Sequence, residues 1–199
     1  MPVQKIRPTK RASAAIAAVL AVATSIGGIW YVKQPGGDAV PAAVALAADT
    51  LIKPWEGREL RAYFDRIARP PRWTICDGDT QNVRAGMVET PAGCDRRLKR
   101  RLGDEFYPGL KACIDGFEKR PLAWQAMMIS LSWNAGVGTA CSSTAARLGR
   151  AGQYQASCLA ATAYNKAGGR MVIGLVNRRE MGDASRIGEA ELCVSGLQP

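Results

Sequence analysis

The sequence of 199 residues contains no histidine. This absence excludes Ser-His and Cys-His nucleophilic catalysis and the common zinc sites that use imidazole ligands. Any acid–base chemistry must therefore come from Asp, Glu, Cys, Tyr or Lys side chains. We expect an activity that uses neither a metal ion nor another cofactor.

The chain also lacks a Cys-x-x-Cys pair, which argues against a zinc ribbon or a thioredoxin-type site. An even number of widely spaced cysteines indicates up to three disulfides and an oxidising compartment. The alternative is a set of buried free thiols in a cytosolic protein. Sequence alone does not determine which cysteines pair, and the pairing that we expect is Cys76–Cys94, Cys113–Cys141 and Cys158–Cys193.

Acidic residues are few, since 17 Asp and Glu stand against 27 Lys and Arg and the formal net charge is +10. An excess of this size favours a polyanionic partner, which could be nucleic acid, an anionic membrane surface or an acidic wall polymer. No nucleic-acid-binding motif is recognised, so we expect no nucleic-acid partner. The basic run at 96–101 predicts a solvated helix face.

Residues 12–32, near the start of the sequence, form a long stretch without a charged side chain, and basic residues precede it. A helix of this length can span a bilayer core of ~30 Å, with its basic flank in the cytoplasm and the rest of the chain in the periplasm. A cleaved signal peptide is the alternative, with Ala45-Leu46-Ala47 as the cleavage site. Cleavage there would remove a predicted helix, so we expect an uncleaved anchor in the inner membrane.

The remaining sequence predicts an α+β arrangement that is mostly helical, with one small sheet near its start. Proline at helix starts and glycine at helix ends set the boundaries. Residues 1–37 are expected to form the basic flank and the hydrophobic N-terminal helix, and residues 38–199 the functional domain. Helices are expected at 41–55, 90–109, 121–134, 142–150, 153–163 and 170–182, and an irregular sheet at 61–80.

Two carboxylates, Glu56 and Asp65, are candidates for catalysis without histidine. Glycoside hydrolysis uses one protonated and one ionised carboxyl group. Glu56 follows Trp55 at the end of an apolar helix, which favours the protonated form. Asp65 lies in a polar stretch beside Arg66, which favours the ionised form.

The spacing of nine residues restricts how this pair can cooperate. On one continuous helix the two side chains would lie on opposite faces, ~13.5 Å apart along the axis. Glu56 and Asp65 can therefore share a cleft only if the helix ends between them. Gly57 supplies a reason for it to end there.

The sequence around this pair resembles the active-site signature of the phage-type lysozymes (endolysins). The matching motifs are Leu51-Ile52-Lys53-x-Trp55-Glu56-Gly57, then Tyr63-x-Asp65, then Trp73-Thr74-Ile75-x-x-Gly78-x-Thr80. Further along the chain, Ser132-Trp133-Asn134-x-Gly136 and Gly174-Leu175-Val176-Asn177-Arg178-Arg179 are similar to later motifs of that family.

The resemblance implies a mostly helical, lysozyme-like enzyme that hydrolyses the β-1,4 bond between N-acetylmuramic acid and N-acetylglucosamine in peptidoglycan. Glu56 would be its general acid and Asp65 its second carboxylate, and Thr74 would help to hold the attacking water. Arg178 and Asn134 match supporting positions. The resemblance also implies a monomeric enzyme with which a phage lyses its host cell.

The sequence departs from the family pattern at several positions. Eight residues separate Asp65 from Thr74 where the family usually has five, because of an extra Arg69-Pro70-Pro71. Asp79 stands where the family has histidine, and Cys76 where it often has glycine. Two other interpretations stay open: a peptidoglycan-binding protein without activity, and a bacterial lysozyme that opens the wall locally.

The N-terminal segment is similar to that of the signal-arrest-release endolysins, in which an uncleaved and weakly hydrophobic helix holds the enzyme and later releases it. Residues 12–32 are mostly Ala, Gly, Ser and Thr with few larger apolar residues, so their insertion energy should be small. We therefore expect an anchor that can leave the bilayer.

Overall fold

The computed structural model describes residues 2–34, 38–66 and 70–197. The fold is α+β and mostly helical, as the sequence predicted. Its helices are α1 (Lys10–Ala21), α2 (Ala42–Leu46), α3 (Pro91–Arg101), α4 (Tyr107–Cys113), α5 (Leu122–Ala135), α6 (Val137–Ser142), α7 (Thr144–Arg150), α8 (Tyr154–Ala161), α9 (Ile173–Arg179) and α10 (Glu189–Ser195). Its strands are β1 (Ala23–Ile26), β2 (Ile29–Lys33), β3 (Ala39–Pro41), β4 (Glu59–Asp65), β5 (Arg72–Cys76), β6 (Lys166–Ala167) and β7 (Arg170–Met171).

Two helices continue into π-helical turns, which lengthen them beyond their α-helical parts. After α2 the turn covers Ala47–Ile52, and after α3 it covers Leu102–Phe106. The second turn leads directly into α4, so residues 91–113 form one helical run. The sequence predicted this helix to about residue 109.

The N-terminal segment differs from the expected hydrophobic helix, and that prediction is wrong for the folded chain. Helix α1 ends at Ala21, and β1 and β2 form an antiparallel hairpin to which β3 adds a third strand. The turn uses Gly27 and Gly28, whose φ angles are +60° and +80°. Ala-rich sequence favours the helix, whereas the β-branched and aromatic residues of β2 favour the strands. In the described part of the chain, no helix has the length and apolar character needed to cross a membrane.

Helix α5 is the centre of the core. Ten consecutive residues, from Ala123 to Ser132, are buried, because the other helices surround it. Its Trp124 ring is fully buried, lies against the rings of Phe117 and Tyr154, and donates a hydrogen bond of 2.7 Å from Nε1 to the Ser157 hydroxyl.

Helix α1 packs on this core from outside. Ala12 is fully buried, and Ile16 and Val19 lie against the same apolar cluster. The segment that was expected in the membrane is therefore part of the folded domain in this structure.

Three disulfides link distant parts of the fold, and the expected pairing is confirmed. One joins the sheet to α3, one joins α4 to α6, and one joins α8 to α10. They are Cys76–Cys94, Cys113–Cys141 and Cys158–Cys193, with Cα–Cα distances of 5.2, 5.9 and 5.8 Å.

The packing of Trp124 gives a test of the core. A Cβ atom added at Gly149 would lie 2.0 Å from Trp124 Cζ2. We expect G149A to lower the free energy of unfolding by about 1–3 kcal/mol, because the ring cannot move without losing its contacts. Urea denaturation measures the change.

The matched control is G103A, where an added Cβ meets no atom within 4 Å. Gly103 lies in a helical turn, so we expect G103A to be neutral or to stabilise the protein by up to about 1 kcal/mol. Equal stability of the two variants would contradict this description of the core.

Candidate active site

Glu56 lies in a short irregular turn just after the helical segment that ends at Ile52. The helix ends at Ile52, before both candidate carboxylates and earlier than the expected end at Gly57, so no continuous helix carries Glu56 and Asp65. The Glu56 amide donates a hydrogen bond of 3.0 Å to the Ile52 carbonyl. The preceding residue fixes the turn from the other side, since Trp55 Nε1 donates to the Ile187 carbonyl at 2.9 Å and the Arg186 guanidinium lies 3.9 Å from the Trp55 ring centre.

Asp65 and Thr74 lie on the β4–β5 hairpin, on the same face. Asp65 is opposite Arg72 in the register, and Tyr63 is opposite Thr74. Side chains alternate between the two faces of a strand, so these four residues share one face and Asp65 is the diagonal neighbour of Thr74. Thr74 is buried, and its hydroxyl is 3.5 Å from the Arg72 carbonyl oxygen.

Tyr63 connects the hairpin to Glu56. Its pKa is raised, first by partial burial of the phenol and then by the negative charges of Asp65, Glu59 and Glu56. The phenol is therefore close enough to both candidate carboxylates to be affected by each of them. Glu56 and Asp65 thus border the same region, although they come from different elements.

Arg178, at the end of α9, is the direct partner of Glu56. Arg178 Nη1 donates a hydrogen bond of 2.7 Å to Glu56 Oε1. The Arg178 side chain is almost completely buried, whereas the Glu56 side chain keeps 24% of its surface exposed. The Glu56 carboxyl group is therefore partly accessible to solvent, whereas the Arg178 guanidinium that contacts it is buried.

Glu189, the first residue of α10, is the buried anion of the site. It forms an ion pair with Arg179 and lies 3.5 Å from Arg178 Nε, and it accepts a hydrogen bond of 2.7 Å from Ser130 on α5. Arg179 also donates to the Asn134 side chain at the end of α5. A chain of contacts therefore runs from Glu56 through Arg178, Glu189 and Arg179 to Asn134.

Sequence reasoning identified both ends of this chain of contacts but missed Glu189 at its centre. The family motifs that we matched end near residue 180, and nothing in the spacing of Glu189 distinguishes it from a surface acid. Its position at the start of the apolar Glu189-Ala190-Glu191-Leu192-Cys193-Val194 stretch was the one available signal, because carboxylates are rarely buried without a partner.

Two further carboxylates near this site are fully buried, and both are held by the N-terminal segment. Glu180 accepts hydrogen bonds of 2.7 Å from the Val3 and Gln4 amides. Glu191 is contacted by Arg11 Nε at 2.7 Å, by Arg11 Nη2 at 2.9 Å and by the Thr9 hydroxyl at 2.6 Å.

Asp79 gives the basic run on α3 a structural role. It is buried after β5, and Arg97 Nη2 and Arg101 Nη1 lie 2.7 and 2.5 Å from its carboxylate oxygens. The prediction of a solvated basic face is therefore wrong for Arg97 and Arg101, whereas Arg96 and Arg100 are exposed. Asp79 occupies the family's histidine position as the anion of an ion-pair cluster.

The loop between β4 and β5 is described only in part. Arg69, within the extra Arg69-Pro70-Pro71, lies outside the described residues. The strands on either side are paired in register from Tyr63 to Asp65. The longer loop is thus compatible with a regular hairpin that carries Asp65 and Thr74.

Comparison with known proteins identifies the family and the fold. Residues 53–182 match the family model for phage lysozyme. SAR-endolysins from Enterobacteria phages P21 and PA-2 are each 28% identical over 182 residues, which cover 89% of this chain and 96% of each relative.

Among solved structures, an endolysin from Escherichia coli O157:H7 phage FAHEc1 superposes with a TM-score of 0.60 at 25% identity, covering 77% of this chain and 93% of that one. The muramidase domain of SpmX from Asticaccaulis excentricus also gives a TM-score of 0.60, at 20% identity, covering 79% of this chain and 96% of that one. That second likeness shows the fold alone. Together with the family match, these findings show that the chain belongs to the phage lysozyme family and is a peptidoglycan-hydrolysing glycoside hydrolase of the endolysin type.

Proposed function

We propose that the enzyme cleaves the β-1,4 bond between N-acetylmuramic acid and N-acetylglucosamine, with Glu56 as the general acid. The observation that supports this most is the hydrogen bond of 2.7 Å from the buried Arg178 to Glu56 Oε1, which a protonated carboxyl group can also accept. Arg178 binds one carboxyl oxygen, Oε1, and so orients the group. The other oxygen, Oε2, then carries the proton to the leaving glycosidic oxygen.

Asp65 acts as the second carboxylate from the facing hairpin. Its carboxylate either stabilises the developing positive charge on the sugar ring or activates a water molecule. Thr74, its diagonal neighbour, helps to hold the attacking water, and Asn134 supports the site by orienting Arg179. No step requires histidine or a metal ion.

The main function is tested by E56Q, which keeps the shape of the side chain but removes the acid. We expect at least a ~100-fold loss of reducing ends released from purified peptidoglycan, because general acid catalysis contributes about that much or more. The melting temperature should change little, since Gln can still accept a hydrogen bond from Arg178.

The matched control for this experiment is E59Q, an exposed Glu-to-Gln change on β4 in the same region. We expect E59Q to retain most of the activity. Full activity in E56Q would refute the assignment of the acid. Wall binding without any release of reducing ends by the wild type would instead indicate a wall-binding protein without activity.

We also propose that the enzyme is first held in the inner membrane by residues 12–32 and is later released into the periplasm as a monomer. The composition of this segment and its likeness to proteins named SAR-endolysin support the proposal. In the inserted state residues 1–11 lie on the cytoplasmic side, because they carry the basic flank. Residues 38–199 form the catalytic domain on the other side.

The contacts of Glu180 and Glu191 link the location of the N-terminal segment to the activity of the enzyme. Glu180 accepts hydrogen bonds from the amides of residues 3 and 4, and Glu191 is paired with Arg11 and Thr9 in addition to the Gly188 amide. The contacts from residues 3–11 cannot form while a bilayer separates the two parts of the chain. Buried carboxylates without partners are costly, so the region that carries Arg178 rearranges until the segment leaves the membrane and docks.

A substitution in the hairpin turn tests the release. Leucine at Gly27 and Gly28 disfavours the docked hairpin, because their positive φ angles cost a residue with a side chain about 1–2 kcal/mol each. It also favours membrane insertion by about 0.5 kcal/mol per residue. We expect G27L/G28L to remain in the membrane pellet and to lyse cells later than the wild type.

The control for the turn is A14L/A17L, which adds the same side chains at exposed positions of α1. It changes the hydrophobicity without straining the turn, so its retention should be intermediate. Wild-type distribution of G27L/G28L between membrane and soluble fractions would contradict the proposed anchor.

The docked contacts are tested by R11A in the released enzyme. It removes two charge-assisted hydrogen bonds from the buried Glu191, and we expect a loss of about 1–3 kcal/mol in unfolding free energy. R7A, at an exposed position of the same basic flank, is the matched control and should be close to neutral. Equal effects of R11A and R7A in urea denaturation would show that the docking contributes nothing.

A further inference from the structure

Arg58 follows the proposed acid by two residues, and two aspartates bind its guanidinium group. Arg58 Nε and Nη2 lie 3.0 and 2.7 Å from the two oxygens of Asp77, which makes a bidentate pair. Nη2 also lies 2.7 Å from Asp95 Oδ1. Asp77 is almost fully buried, so this is not a loose surface pair.

The two aspartates are placed by one disulfide. Asp77 follows Cys76 and Asp95 follows Cys94, and these cysteines are bonded to each other. The disulfide therefore joins the β5 turn to the first part of α3 and brings both carboxylates to the same guanidinium.

The backbone at Cys76 has a conformation that favours glycine, although a cysteine of the Cys76–Cys94 disulfide occupies it. Its φ angle is +58°, in the left-handed region that disfavours residues with a side chain. The flanking Ile75 and Asp79 exchange two backbone hydrogen bonds of 2.9 Å, which close the turn around Asp77. A glycine would adopt this conformation without cost, whereas the cysteine provides the disulfide.

Asp95 also contacts Lys53, which precedes Glu56 in the sequence, whereas Arg58 follows it. Its Oδ1 atom is 3.0 Å from Lys53 Nζ, three residues before the acid. Burial alone would raise the pKa of the Asp95 carboxyl, but hydrogen bonds from Arg58 and Lys53 outweigh it and lower that pKa. Asp95 is thus ionised at neutral pH and is bound from both ends of the turn that carries Glu56.

We propose that Arg58 is a positioning residue for Glu56, and that the Cys76–Cys94 disulfide acts on catalysis through Asp77, Asp95 and this arginine. The proposal rests on the proposed role of Glu56. It makes the oxidised state of this one disulfide a requirement for full activity. In a cell, the requirement restricts full activity to an oxidising compartment such as the periplasm.

The physical reason is that residues 53–58 have no helix or strand to fix them. Trp55 and Arg178 hold one side of the turn, and Arg58 and Lys53 hold the other. General acid catalysis requires the carboxyl within hydrogen-bond distance of the leaving oxygen, and a displacement of ~1 Å can cost up to ~100-fold in rate.

The first experiment compares R58A, R58K, E56Q and R120A in kcat and KM on solubilised glycan strands. R120A is the matched control, because the Arg120 side chain makes three hydrogen bonds where Arg58 makes four, and it joins α7, α8 and the Asp115 carbonyl away from the cleft. We expect R58A to lower kcat about 10- to 100-fold with KM nearly unchanged. R58K, which keeps the charge but not the bidentate fork, should fall between R58A and the wild type.

These variants separate the two proposals. An active E56Q would overturn the role of Glu56, whatever Arg58 does. An inactive E56Q together with wild-type kcat in R58A would overturn the positioning role alone. A loss of kcat in R120A equal to that in R58A, at a temperature where both are folded, would show a general effect of stability and would also overturn it.

The second experiment tests the coupling to the disulfide. C76G/C94A removes the link and places glycine at the positive φ angle, so the turn itself is not strained. We expect a loss of kcat similar to that of R58A, and no further loss when the two changes are combined, as residues that act through one another are not additive. C113A/C141A, which removes another disulfide in the helical core, should leave kcat within about twofold below its melting temperature.

Additive losses from R58A and C76G/C94A would show that the disulfide acts independently of Arg58 and would overturn the coupling. An unchanged kcat in C76G/C94A would do the same. If C76G/C94A is unfolded at the assay temperature, D77N replaces it in the cycle, since it leaves the disulfide intact and weakens the bidentate pair.

Discussion

The ion pairs of Glu189 are the interactions on which the rest of the active site depends. A carboxylate with no exposed surface costs several kcal/mol unless cations and hydrogen bonds compensate for it. Here Arg178, Arg179 and Ser130 all approach one oxygen of Glu189, Oε1, and they come from two helices that are distant in sequence. The need to pair Glu189 holds the end of α9 against α5 and α10. In this position Arg178 contacts Glu56. The interior of the domain thus sets the position of the acid.

The turn that carries Glu56 has little structure of its own and is held from several directions. The C-terminal segment binds it through Ile187 and Arg186, and the α3 side binds it through Asp95. The same C-terminal segment receives the N-terminal residues at Glu180 and Glu191. The proposed membrane release and the proposed effect of the Cys76–Cys94 disulfide, which both depend on the compartment, would therefore act on the two sides of one short turn.

The sequence predicted features that depend on local signals or on ordered motifs. The buried helix α5, the hairpin that carries Asp65 and all three disulfides are present in the structure. Helix geometry required that no continuous helix carry both Glu56 and Asp65, and none does, although the helix ends at Ile52 rather than at the expected Gly57. The positions of these elements in the family pattern also led to Arg178, which the structure places 2.7 Å from Glu56.

The remaining features depend on contacts between parts of the chain that are far apart in sequence. A charge-free stretch at 12–32 is equally compatible with a membrane helix and with a helix plus a hairpin that pack on the domain. Arg97 and Arg101 resembled solvated charges because their partner, Asp79, lies in another element. Glu189 and Arg58 were missed for the same reason, since their roles come from Arg178, Asp77 and Asp95 after folding.

The central claim is that Glu56, oriented by Arg178, protonates the glycosidic oxygen. The most direct test is a crystal structure of the E56Q variant with a bound peptidoglycan oligosaccharide. The account predicts that the substituted side chain lies within about 2.6–3.2 Å of the oxygen that joins the two sugars, with the Arg178 contact kept. An oligosaccharide bound with that oxygen out of reach of position 56, and next to another carboxyl group, would contradict it.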